Sequence, residues 1–205
     1  YHHADQKAPL ALVLHPHPQH GGNMNNKVVY AMFRSFVELG FNVLRFNFRG
    51  VGRSEGVYDN GDGELSDAAA AADWLQSQHP KSEFAFISGF SFGSWIAMQL
   101  LMRRPEIADF IAVSPPAGRY DFNFLAPCPV SGLIIQGLKD TIVDPAAVDK
   151  LVSRLNQQKG INIDYRKIKE ADHFFGNCMR EFCAQLENYI SNKFPNKFYS
   201  LANSA

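Results

Sequence analysis

The chain has 205 residues, with 20 Lys and Arg against 20 Asp and Glu, 46% apolar and 20% charged side chains. This is the length and mix of one soluble globular domain with room for a large core. Zero net charge, without a run of like charges, excludes a general electrostatic grip on nucleic acid or acidic membranes. No apolar run approaches the roughly 18 residues of a membrane span.

Short apolar runs alternate with longer amphipathic ones. Strands are predicted over 10–14, 41–46, 84–87, 107–113, 130–135 and 161–168. Helices are predicted over 32–39, 65–78, 95–101, 145–158 and 178–194. Pro105 ends the third helix and Pro145 opens the fourth. The alternation implies crossover connections, hence an α/β fold: a doubly wound, mostly parallel sheet of about six strands with helices on both faces. The strands read as continuously apolar, as in a sheet covered on both sides. Residues 1–194 form one domain in this reading, and 195–205 a polar, flexible tail. A less favoured alternative docks the tail through Phe194, Phe198 and Tyr199.

Cys128, Cys178 and Cys183 fit no zinc spacing and no disulfide framework. They read as reduced thiols, which points to the cytoplasm. No basic-then-apolar leader precedes the first strand.

Gly89-Phe90-Ser91-Phe92-Gly93 lies between a predicted strand and a predicted helix. A serine hydroxyl is a poor nucleophile, and such a turn holds it where a base can reach it. The glycines keep the turn clear of its neighbours, and the helix start offers N–H groups, Phe92 among them, to a reacting carbonyl. The bland alternative is a glycine-rich turn with a capping serine. Phe90 and Phe92 read as core.

A base is needed, and of seven histidines His173 follows the last strand at the same sheet edge. Asp140 and Asp144 both follow the strand over 130–135. Asp144 precedes Pro145 and suits a helix cap, which favours Asp140 as the partner of His173. Asp172 is set aside as a direct sequence neighbour of His173. The order Ser, Asp, His is that of an α/β-hydrolase rather than of chymotrypsin or subtilisin.

After the first strand comes His15-Pro16-His17-Pro18-Gln19-His20-Gly21-Gly22. Prolines have no N–H, so His17 is the natural oxyanion donor beside Phe92, with Gln19 second. Metal binding by His15, His17 and His20 is the disfavoured rival, because no fourth ligand is near. In a third reading His15 supports the loop through hydrogen bonds.

These residues resemble the α/β-hydrolase superfamily, in particular its small lidless bacterial predicted hydrolases. There a His-Pro-His-Pro…Gly-Gly loop, an Asn-Phe-Arg-Gly-Val-Gly-Arg-Ser loop, a Gly-Phe-Ser-Phe-Gly elbow and an Ala-Pro-Cys-Pro segment recur together. Here they stand at 15–22, 47–54, 89–93 and 126–129. The resemblance implies a Ser91–Asp140–His173 triad with donors from His17 and Phe92. Members usually carry two more N-terminal strands, and little precedes Leu10 here, so an exposed sheet edge or an omitted segment is expected. Arg49 and Arg53 of the 47–54 loop read as scaffold rather than as ligands for an anion.

The expected activity is hydrolysis of small or short-chain carboxylic esters through an acyl-enzyme, with no cofactor and no metal. Acyl transfer, thioester or peptide cleavage, and an idle binding module remain alternatives. The stretch 114–129 is too short for a lid domain, so the site should be open. Tyr120, Phe122, Phe124 and Leu125 are the candidate apolar pocket. The expected partner is a small ester, with no nucleic acid or membrane, and the chain is a monomer or homodimer.

Overall fold

The computed structural model describes residues 1–193. The tail over 195–205, and the proposed docking of Phe194, Phe198 and Tyr199, lie outside them. Six strands, β1 (Leu10–Leu14), β2 (Asn42–Arg45), β3 (Ala85–Phe90), β4 (Ile107–Val113), β5 (Leu133–Gly137) and β6 (Asp164–Ile168), form one sheet in the order β2-β1-β3-β4-β5-β6. Every neighbouring pair is parallel. The predicted fold class is therefore observed. The helices are α1 (Lys27–Glu38), α2 (Asp62–Gln78), α3 (Phe92–Leu101), α4 (Pro145–Asn156) and α5 (Met179–Lys193).

The strand period of two splits each central strand between two cores. Leu12 and Leu14 of β1 join α2, α3 and α4 residues such as Leu65, Ile96 and Leu151. Ala11 and Val13 face Val28, Val29, Met32 and Phe36 of α1 and Phe182, Leu186 and Ile190 of α5. The α1 set lies on one helical face, started by Asn26, whose side chain accepts from the N–H groups of Val28 and Val29.

Continuous burial holds for β1 and β5 and nearly so for β3 and β4. It fails at β6, mostly half-buried and charged, because an edge strand has a neighbour on only one side. The β6 ladder also starts at Asp164, three residues after the predicted start. At the opposite edge, His2 forms an antiparallel bridge with Val43 of β2, with N–H···O distances of 2.8 and 2.9 Å in the two directions. The expected bare edge is thus partly covered.

Between β4 and β5 the chain forms only a short 3-10 turn, Asn123–Leu125, and no lid domain. Among the described residues no helix is long and apolar enough to cross a membrane.

Phe36 is fully buried between α1 and the sheet, touching Phe41 and Phe86. Phe36→Ala should lower unfolding free energy by about 3–5 kcal/mol. The reading is a lower urea midpoint at unchanged slope.

Candidate active site

The register pairs Leu14 of β1 with Gly89 of β3, so the loops leaving these strands start side by side. This is the switch point of the sheet, with β2 to one side of β1 and β3 to the other. Ser91 stands between β3 and α3 at φ 53° and ψ −121°. A residue with a Cβ pays about 1–3 kcal/mol for such a backbone. The turn is held by Ser91 N–H to the Val113 carbonyl at 2.8 Å, and by Ser94, whose N–H and Oγ both donate to the Ser91 carbonyl at 2.9 and 2.6 Å. Both motif glycines are sterically required. A Cβ on Gly89 would lie 2.3 Å from the Gly93 carbonyl, and one on Gly93 2.5 Å from the carbonyl oxygens of Leu14 and His15.

His173 and Asp140 are both buried, and His173 Nδ1 lies 2.7 Å from Asp140 Oδ2. The other Asp140 oxygen accepts from the N–H groups of Ile142 and Val143 at 2.9 and 2.8 Å. Burial is the largest single influence on this carboxyl and pulls its pKa upward. The hydrogen bonds from His173, Val143 and Ile142 together outweigh it and hold the pKa below the usual carboxylate value. Asp144 caps α4 by accepting from Ala146 N–H, as its place before Pro145 foretells. Asp172 accepts from the N–H groups of Phe174 and Gly176 and so shapes the histidine loop. Sequence reasoning missed two supports. Buried Gln136 donates to Asp140 Oδ2 at 3.1 Å, on the oxygen that faces His173. Gly137 lets the two loops meet, since a Cβ there would lie 2.4 Å from the Ala171 carbonyl oxygen. A polar residue and a glycine ending a strand were the available signals.

His15 is wholly buried, with Nδ1 bonded to the Pro16 carbonyl at 2.6 Å and Nε2 accepting from Phe48 N–H at 3.0 Å. Both ring nitrogens are thus committed to the loop, and no lone pair remains for a metal. Burial, the largest cause, lowers its pKa to about 4, so the ring is neutral at pH 7. Gln19 N–H is used on His17 Nδ1 at 3.2 Å. Among the described residues the N–H groups of His17 and Phe92 have no acceptor.

Ser91, His173, His17 and Phe92 line one cavity of about 480 Å³. Tyr120 lines it too, its ring packed against those of Phe92 and Trp95. Phe122 and Phe124 are a correction: neither lines the cavity. Phe122 is buried in the core beside α3 and α4, Phe124 packs against that core, and the two rings stack on each other. Leu125 is likewise core. The 3-10 turn rolls these apolar side chains inward, a direction that composition does not reveal. The apolar rim comes instead from Ile142 and Phe174, both well exposed. Phe90 is core, its ring 4.9 Å from that of His173, whereas Phe92 is buried yet reaches the cavity wall. Arg49 grips Asp67 through Nε and Nη2 and is scaffold.

The buried His15 generates a pH prediction. Its folded pKa, about 4, lies below the ordinary 6.5, so the unfolded chain takes up this proton first. The contribution is whole above pH 6.5 and falls as pH drops toward 4, by roughly 3 kcal/mol. Urea titrations across this window should show the loss, and His15→Gln should flatten that part of the slope.

A family profile described as X-Pro dipeptidyl-peptidase (S15 family) matches residues 3–137. An uncharacterized protein of Rickettsia prowazekii is 57% identical over 187 residues, spanning 89% of this chain and 79% of that protein. The crystal structure of an alpha/beta hydrolase of unknown function from Agrobacterium tumefaciens superposes with a TM-score of 0.92 at 50% identity, covering 96% of this chain and 91% of that one. A serine hydrolase without lid from Xanthomonas campestris superposes with a TM-score of 0.83 at 38% identity, covering 92% and 84%. With the profile spanning β1 to β5 and a serine hydrolase without lid superposing over 92% of the chain, the chain belongs to the X-Pro dipeptidyl-peptidase (S15) family and is a serine hydrolase of the α/β fold.

Proposed function

We propose that the protein is a carboxylesterase for small or short-chain esters, working through an acyl-enzyme on Ser91. The supporting observation is convergence: Ser91, His173 and the residues of two unpartnered N–H groups line one open cavity, with Asp140 bonded behind the histidine. With Nδ1 turned to the Asp140 carboxylate, the proton sits on Nδ1 and Nε2 is the base. Nε2 takes the Ser91 hydroxyl proton as Oγ bonds to the ester carbonyl carbon. The displaced carbonyl electron pair goes to the oxygen, which the His17 and Phe92 N–H groups stabilise, each such donor contributing about 10²–10³ in rate. The bond to the alcohol oxygen then breaks, and the Nε2 proton leaves with it. Water, deprotonated by Nε2, attacks the acyl carbon, releases the acid and returns Ser91 to its hydroxyl form. Asp140, held anionic by its hydrogen bonds, stabilises the imidazolium in both halves.

The family match favours a second reading, cleavage of a peptide bond after proline. An enzyme that counts residues from a free N-terminus must hold an ammonium group. Among the described residues the cavity lining contains no Asp or Glu. Glu64, whose charge acts on His17 and Tyr120, spends its two oxygens on the N–H groups of Asp59 and Gly61. The ester reading therefore stands first.

A fluorophosphonate should label Ser91, and an unlabelled native protein would mean an idle site. Ser91→Ala should lower kcat on a short aryl ester by a factor on the order of 10⁴ or more, and Asp140→Asn by about 10⁴. Substrate class is read from kcat/KM: short-chain aryl esters should exceed long-chain ones and proline-ending dipeptide anilides. Faster cleavage of the anilide would put the peptidase reading first.

A further inference from the structure

We infer that Arg119 binds a carboxylate carried by the substrate, so that the esters favoured by this site are acidic. The inference rests on the ester reading and narrows its substrate class. Arg119 and Ser91 line the same cavity, whose volume suits a small molecule. The backbone of Arg119 is fixed in place. The Pro116 carbonyl accepts from the N–H groups of Arg119 and Tyr120 at 2.9 and 3.0 Å, and Ala117 N–H reaches Pro115 at 2.7 Å. The next residue, Tyr120, is pinned by Trp95 and Phe92, at 4.5 and 5.8 Å between ring centroids. A flexible side chain thus starts from a rigid anchor.

Its guanidinium is unlike that of the scaffold arginines. Arg34, Arg49, Arg104 and Arg166 each meet a carboxylate within 2.6–2.8 Å. Among the described residues the Arg119 side chain has no hydrogen-bond acceptor and no ion-pair partner. Among the described residues no acid lines the cavity wall to pair with it. A guanidinium presents a planar fork matched to a carboxylate, and here that fork is unfilled at the mouth of a site whose lining, among the described residues, carries no acid. Because Arg119 is exposed, the pairing is screened by water and salt, so its effect is modest. The same positive charge is the wrong sign for a peptide N-terminus.

The test uses the intact wild-type protein and two ester pairs. Mono-4-nitrophenyl adipate against 4-nitrophenyl methyl adipate places the charge on the acyl side. The butyrate of 4-hydroxybenzoate against that of methyl 4-hydroxybenzoate places it on the leaving side. The anionic member of one pair should have a KM about fivefold lower than its neutral partner, and the ratio should shrink as salt rises. The ratio should approach one in Arg119→Ala, invert in Arg119→Glu and survive in part in Arg119→Lys. Equal KM values within both pairs, or a preference that persists in Arg119→Ala, would overturn the assignment while leaving the esterase reading intact. Hydrolysis of none of the four esters would remove the esterase reading and this inference together.

Discussion

The site depends on a close approach of backbone to backbone, where the first turn of α3 meets the end of β1. Gly93 stands so near the carbonyls of Leu14 and His15 that a single methyl group would collide with them. Gly89 stands in the same relation to Gly93. That contact forces Ser91 into its positive-φ turn and brings the proline-rich loop beside it. Ser94 and Val113 supply the hydrogen bonds that hold the strained turn. The surrounding sheet and helices overdetermine the conformation, which is how a costly backbone persists. The loop in turn keeps its shape through a neutral His15, sealed between Pro16 and Phe48.

A second close approach, Gly137 against Ala171, joins the loop of the acid to the loop of the histidine. It brings two polar side chains into a dry place where neither is tolerable alone. Asp140 there has four hydrogen-bond partners: two backbone N–H groups, Gln136 and His173. A buried carboxylate so supplied stays ionised despite the cost of leaving water. The histidine ring receives a fixed tautomer and a fixed plane, with Phe90 against its face. The Asp140–His173 pair is thus held in place by Gln136, two loop N–H groups and the Phe90 ring.

The wall of the cavity has a different character. Ile142 and Phe174 expose apolar surface, Arg119 carries a positive charge, and no acid is among the described residues of the lining. Net charge for the whole chain is zero, yet this one recess is positive. Overall charge balance therefore says little about a local recess. What the site prefers is decided by which side chains the loops after β1, β4, β5 and β6 turn inward.

From residue order alone came the parallel α/β fold, the glycine–serine turn between strand and helix, and the order Ser91, Asp140, His173. These were legible because periodicity, turn chemistry and helix capping are local, acting over a few residues. The choice of Asp140 over Asp144 came from capping too, and the bond from Asp144 to Ala146 agrees with it. The roles of Gln136, Gly137 and Arg119 were not legible, because each depends on how the loops fold: Gln136 on the turn that brings Asp140 back to it, Gly137 on its approach to Ala171, and Arg119 on the cavity it shares with Ser91. The inward roll of Phe122 and Phe124 was hidden for the same reason: an aromatic residue in a loop satisfies core and pocket equally until packing chooses between them. Local chemistry set the elements and the turn at Ser91, while only the folded sheet decided which loops meet, which polar groups support Asp140, and which side chains face the cavity.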